Sequence, residues 1–162
     1  GEREQGFSAG WRAVLGHVFV VALVTEVAIT VLFWSLLYPA LDVPCGFECW
    51  TVHVLGTAAV VFDFSANKIQ INKRHLWSVL SFSAAWLFVQ ICWVYSGHKP
   101  CYPVFTLYES TDAILAIGAF IMLFILHYVF AWIGDKKERY FSERNKKYMD
   151  IFRNPELSSG IV

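Results

Sequence analysis

Four apolar blocks, Val14–Tyr38, Val52–Ala66, Leu76–Tyr95 and Ala113–Ile133, carry almost no charge. A helix needs about 20 apolar residues, at ~1.5 Å each, to cross the hydrocarbon core of a bilayer. The first and last blocks meet that length; the second is short and must use its polar ends. The expected fold class is all-α, an integral membrane four-helix bundle with a polar C-terminal extension. Residues 1–10 form a polar N-terminal segment, 11–134 the transmembrane domain and 135–162 a charged tail.

Composition agrees with this partition. Hydrophobic residues make up 57% of the chain and charged residues 16%, against about 25% charged in a soluble domain. Much of that charge follows Gly134, and the basic residues do not interleave with stacking aromatics, so nothing points to nucleic acid. With four crossings both termini share one face, here called side A. Twelve of the thirteen Lys and Arg residues fall there; Lys99 alone lies on the opposite face, side B. Short basic loops face the cytoplasm or the equivalent matrix side; the endoplasmic reticulum and the mitochondrial inner membrane both satisfy this. Trp11, Trp34, Trp50, Trp77, Trp93 and Trp132 lie near the block ends, the depth favoured by an indole with one polar donor; Trp86 is mid-span.

The blocks predict helices over Trp11–Tyr38, ending before Pro39, over Cys49–Asn67, over His75–Ser96, and from Ser110-Thr111-Asp112, which supplies N-cap oxygens, to Ile133. Beyond Gly134 the mixed charges and aromatics suit a helix that continues out of the membrane or lies on its surface. From Pro155 onward no structure is expected. Cys45, Cys49 and Cys101 fall in the side-B loops. In an oxidising compartment a Cys45–Cys49 bridge and a loop-to-loop bridge to Cys101 are both open. Adding His98 produces no recognised zinc spacing, so no metal is expected.

Ionisable groups at membrane depth are costly and face protein or water. Glu26 lies midway along the first block; a helix-packing hydrogen bond, with Thr25, Thr57 or Gln90 at similar depth as partner, is expected ahead of a proton or substrate site. His53 and Asp63 are ten residues apart on the second helix. His17 and His127 lie near side A and form the one pair suited to a haem, but the spacing does not require it, and no cofactor is expected. His75 and His98 fall at helix boundaries and are read as solvated. No nucleotide loop, metalloprotease signature or nucleophile elbow is present.

Several segments together resemble a known family. They are Leu32-Phe33-Trp34-Ser35-Leu36-Leu37-Tyr38-Pro39, Trp50-Thr51-Val52-His53 leading to Asp63, Ile91-Cys92-Trp93-Val94-Tyr95 and Tyr102-Pro103-Val104-Phe105. Their order is similar to that in the androgen-induced-gene and rolling-stone family of multi-pass membrane proteins, over about Trp11 to Arg139. The resemblance implies a match to the last four of six helices. Some members hydrolyse fatty-acid esters of hydroxy fatty acids with an intramembrane threonine and histidine. The threonine helix has no counterpart here. His53 matches the first histidine of the family's His-x-x-His stretch, and the catalytic position falls on Gly56. A threonine needs a nearby base to act as a nucleophile, so the leading expectation is a non-catalytic membrane subunit that packs against partner membrane proteins and lipids through its helices and tail. The alternative is an intramembrane hydrolase using His53 with Thr57, which share a helical face. A haem or quinone protein is the third reading.

Overall fold

The computed structural model describes residues 2–40, 44–102 and 106–153. Helix α1 (Glu2–Leu32) runs into a π-turn at Phe33–Leu37 and a 3-10 turn at Tyr38–Ala40. Next, α2 (Phe47–Trp50) passes through a second π-turn, Thr51–Leu55, into α3 (Gly56–Ala66). The bundle is completed by α4 (Lys73–Tyr95) and α5 (Ser110–Arg153). Four stretches are long and apolar enough to cross a membrane: Gly10–Leu37, Phe47–Ala66, Lys73–Tyr95 and Ser110–Lys146. No strand occurs among the described residues. The chain is an all-α helical membrane protein, as lipid requires of any segment that must pair its own backbone groups.

Span 1 is the hub. It packs on α3, α4 and α5, and α4 also packs on α5. Of its most apolar window 33% is buried, against 6% for the second span, which leans on span 1 and leaves most of its perimeter outward. The core gathers Val20, Leu23, Val24 and Ala28 of α1 with Phe64, Ile71, Val79, Leu123 and Phe130. In hydrocarbon such packing is held by van der Waals fit rather than by water exclusion.

The expectation that helix 1 ends before Pro39 is corrected. Regular α-helix stops at Leu32, and the two modified turns carry the chain through Pro39. A proline ring clashes with the carbonyl four residues earlier in a regular helix, and a widened turn is a recognised way to pass such a point.

Local chemistry sets the other ends. At the start of α4 the Asn72 side chain accepts from the Arg74 N–H, while His75 Nδ1 accepts from the Asn72 N–H at 3.2 Å, a reciprocal capping box. At its other end Gly97 takes φ +87° and donates to the Val94 carbonyl. That left-handed position is open to glycine at little cost. Trp93 closes the corner by donating to the Lys99 carbonyl and stacking on the exposed His98 ring at 3.9 Å. At the start of α5 the Asp112 carboxylate accepts from the Glu109 and Thr106 N–H groups and the Thr106 hydroxyl. It thereby holds a turn in which Leu107 has φ +65°, an uncommon conformation for a residue with a side chain.

The 44 residues of α5 form a rod about 66 Å long at ~1.5 Å per residue, over twice the ~30 Å hydrocarbon thickness. Of the two arrangements open to the tail, the described part takes the first: it continues the fourth span without a break to Arg153. The stretch from Pro155 lies outside the described residues. Lys137 ties this rod to the bundle. Its ammonium donates to the Phe64 carbonyl and, at 2.8 Å, to the Asn67 carbonyl, and lies 4.2 Å from the centre of the Phe64 ring. A cation there satisfies carbonyls left open at the end of α3. Of the two disulfides left open, Cys45–Cys49 is formed, while Cys101 and Cys92 are free and exposed.

Candidate functional site

Three features combine polar chemistry or empty space with membrane depth: a seam between spans 1 and 2, a cavity between spans 1, 3 and 4, and a histidine cluster near side A.

The seam is built around the two π-turns. Phe33 in the first and His53 in the second stack face to face, with ring centres 3.7 Å apart and planes 9° from parallel. One turn below Phe33, the Thr30 hydroxyl lies 2.6 Å from the Thr57 hydroxyl and donates to the His53 carbonyl at 2.9 Å. Glu26 stands one further turn down. Its carboxyl lies directly against Gly56, where an added Cβ would come within 2.5 Å of Glu26 Oε1. The position that the family resemblance assigns to a catalytic histidine therefore has no room for any side chain while Glu26 keeps this rotamer.

The partners expected for Glu26 lie elsewhere. Thr25 donates to the Val21 carbonyl of its own helix, Thr57 pairs with Thr30, and no described hydrogen bond joins Gln90 to Glu26. Indeed, no described residue donates a hydrogen bond to the Glu26 carboxyl. His53 and Thr57 do share a face, but Thr57 is engaged by Thr30 and the His53 ring by Phe33, so no hydrogen bond between base and nucleophile is formed. Asp63 is exposed near the side-A end of α3, within electrostatic reach of Lys137.

The cavity has a volume of about 240 Å³ and an almost wholly apolar lining. Leu32 and Phe33 of span 1, Trp86 of span 3, and Ala119 and Phe120 of span 4 shape it. Tyr102, from the side-B loop after α4, is a further wall residue. Its ring meets that of Trp86 at 5.9 Å, so the loop dips to the level of a mid-span residue. Irregular backbone at such depth is tolerated where protein or a cavity surrounds it. Burial foremost, with smaller electrostatic contributions from Cys101 and Glu26, pushes the Tyr102 phenol above its ordinary pKa. It stays a neutral hydroxyl able to donate or accept.

Near side A, His17 Nδ1 lies 2.7 Å from the Ser78 hydroxyl, and its ring meets the edge of His75 at 4.6 Å. The reading of His75 as solvated is corrected: it is only 6% exposed, because the capping bond to Asn72 turns its ring inward. His127 is 1% exposed, and its Nδ1 has no described partner. The proposed His17/His127 haem pair thus has His75 as a third member of its cluster. Among the described residues no group of three or more His, Cys, Asp or Glu is placed to hold a metal ion.

Thr30, Tyr102 and the contact of Glu26 with Gly56 were not singled out as site features from sequence. Thr30 is four residues after Glu26, hence on the same helical face, and that spacing was the available signal. Tyr102 had none, since a loop residue's depth is not periodic. No family model, curated protein or solved structure matches the chain.

Proposed function

We propose that this chain is a non-catalytic multi-pass membrane subunit that holds a lipid tail between its first, third and fourth spans and works beside partner membrane proteins. The apolar cavity carries this reading. It is lined by three spans and by Tyr102, and its few polar atoms suit a hydrocarbon chain rather than a soluble substrate. The subunit role draws support from the second span, whose outer perimeter is free for lipid or neighbouring helices. The α5 rod adds to it, carrying exposed Tyr140 and Met149 among its charges beyond the membrane. The basic end belongs on the cytoplasmic or matrix side, and the Cys45–Cys49 disulfide on the opposite face suits an oxidising lumen or intermembrane space.

Mild-detergent extraction, native electrophoresis and mass spectrometry test both halves together. The expected result is a larger assembly containing partner proteins and a retained lipid. In Ala119→Phe, where a ring enters the cavity, the retained lipid should fall about tenfold, the equivalent of ~1.4 kcal/mol. Migration as a single lipid-free chain would overturn the proposal.

A second reading, an intramembrane hydrolase of fatty-acid esters of hydroxy fatty acids, follows from the resemblance to the androgen-induced-gene and rolling-stone family. Its supporting observation is the placement of His53 in a π-turn beside the Thr30–Thr57 hydroxyl pair, since π-bulges recur at functional sites. Turnover of such an ester should then vanish in His53→Ala and in Thr57→Val. Turnover unaffected by both substitutions would remove this mechanism.

A further inference from the structure

The histidine cluster near side A lines no part of the lipid-tail cavity, and each of its rings comes from a different span. His17 of α1 is half-buried, while His75 of α4 and His127 of α5 are buried, on three helices that pack on one another. The His17 and His75 rings meet edge to face at 4.6 Å. From α1 and α5 the groups acting electrostatically on His75 are His17 and His127, and no carboxylate is among them. Lys73 and Arg74, beside it on α4, are exposed. Lys137 of α5 is turned instead to the carbonyls at the end of α3, with Asp63 as its electrostatic neighbour.

The two hydrogen bonds of the cluster respond differently to a proton. His17 Nδ1 lies 2.7 Å from the Ser78 hydroxyl, and a hydroxyl both donates and accepts, so that bond survives protonation of the ring. His75 Nδ1 accepts from the Asn72 N–H at 3.2 Å, which requires a lone pair on that nitrogen. A protonated imidazole carries N–H on both nitrogens and accepts nothing. Protonation therefore sets two N–H groups against each other and removes one arm of the capping box. The other arm, from the Arg74 N–H to the Asn72 side chain, is left alone.

This box holds the corner on which α5 is seated. Ile71, just before Asn72, is 5% exposed within the core. Its backbone nitrogen is close to Gly134 of α5, where an added Cβ would lie 3.9 Å from it.

We propose that His75 is a proton-operated latch: acidification on side A opens the cap at Asn72 and loosens the corner between spans 2 and 3 on which the α5 rod is seated. An unperturbed imidazole titrates at about pH 6.5, so histidine is the side chain suited to such a role. The latch lies outside the cavity and stands whether or not a lipid tail occupies it.

The test follows amide hydrogen exchange of the full chain in lipid nanodiscs between pH 8 and pH 5. Rates are expressed as protection factors, so that the intrinsic pH dependence of exchange cancels. Protection at Asn72, Arg74 and His75 is expected to fall about fivefold on acidification, the factor that loss of a helix cap implies. Amides from Val20 to Val24 should hold theirs. In His75→Gln the side-chain carbonyl can accept the Asn72 N–H at any pH, as glutamine does at this position of a capping box, so protection should stay high throughout. His75→Phe, which has no acceptor, should be as unprotected at pH 8 as the unsubstituted chain is at pH 5. Should the variants fail to fold, imidazole nitrogen-15 shifts in the unsubstituted chain must show His75 gaining its proton over the same pH interval in which protection is lost. Protection that holds across the whole range, or that falls equally in His75→Gln, would overturn the latch.

Discussion

Truncating Leu23 to alanine is expected to cost about 2–3 kcal/mol of stability, measured by reversible unfolding in mixed micelles. Leu23 is fully buried at the centre of span 1, among Val20, Val24 and their partners from α3, α4 and α5. In water-soluble cores the same change costs about 2–5 kcal/mol through lost transfer energy plus the cavity left behind. Within a bilayer the first contribution shrinks, because lipid tails are as apolar as leucine. The lost contacts and the cavity stay, which places the effect near the lower end. Val18 is the informative control. It lies on the same helix but is 60% exposed, so lipid refills the space in Val18→Ala, and a change within about 0.5 kcal/mol is expected. Equal losses from the two substitutions would contradict the role of span 1 as the hub.

Replacing Lys137 with methionine is expected to cost about 2 kcal/mol and to loosen one region selectively. The ammonium donates to two carbonyls at the end of α3 and lies over the Phe64 ring. Hydrogen bonds involving a charged group are worth about 1.5–3 kcal/mol. Partial exposure at the membrane boundary screens part of that gain. Methionine retains the stem that packs on Phe64 but leaves the Phe64 and Asn67 carbonyls without this donor. Hydrogen exchange should therefore speed up from Asp63 to Asn72 and in α5 beyond Gly134, while amides of α4 near Val79 keep their protection. Uniform acceleration, or none, would show that Lys137 does not couple the rod to the second span.

Much of the architecture was legible in the sequence because its causes are local or additive. The spans follow from the length of uncharged runs, and the start of α5 from the oxygens around Asp112. The ends of the first two spans were harder to read. A π-turn needs only one extra residue per turn, and no residue type announces it. Cys45 and Cys49 were visible as candidates, but Cys101 falls in the other loop on the same face, and only the geometry of the folded loops separates the two pairings.

The candidate site was legible as a set of residues and not as a set of contacts. Glu26, His53, Thr57 and Gly56 stood out because polar or very small groups at membrane depth are unusual. Which of them meet depends on how two helices rotate about their own axes, and composition does not constrain that rotation. Thr57 turned out to face Thr30, Glu26 to face Gly56, and His53 to face Phe33. His75 shows the same gap: a residue at a helix boundary is read as wet unless its capping bond turns the ring inward. The length of the uninterrupted apolar runs points by itself to an all-α membrane chain, because a helix pairs its own backbone groups where hydrocarbon offers no partner. The seam, the cavity and the tether at Lys137 depend on contacts between residues far apart in the chain, and those exist once the helices have chosen their rotations, crossings and depths.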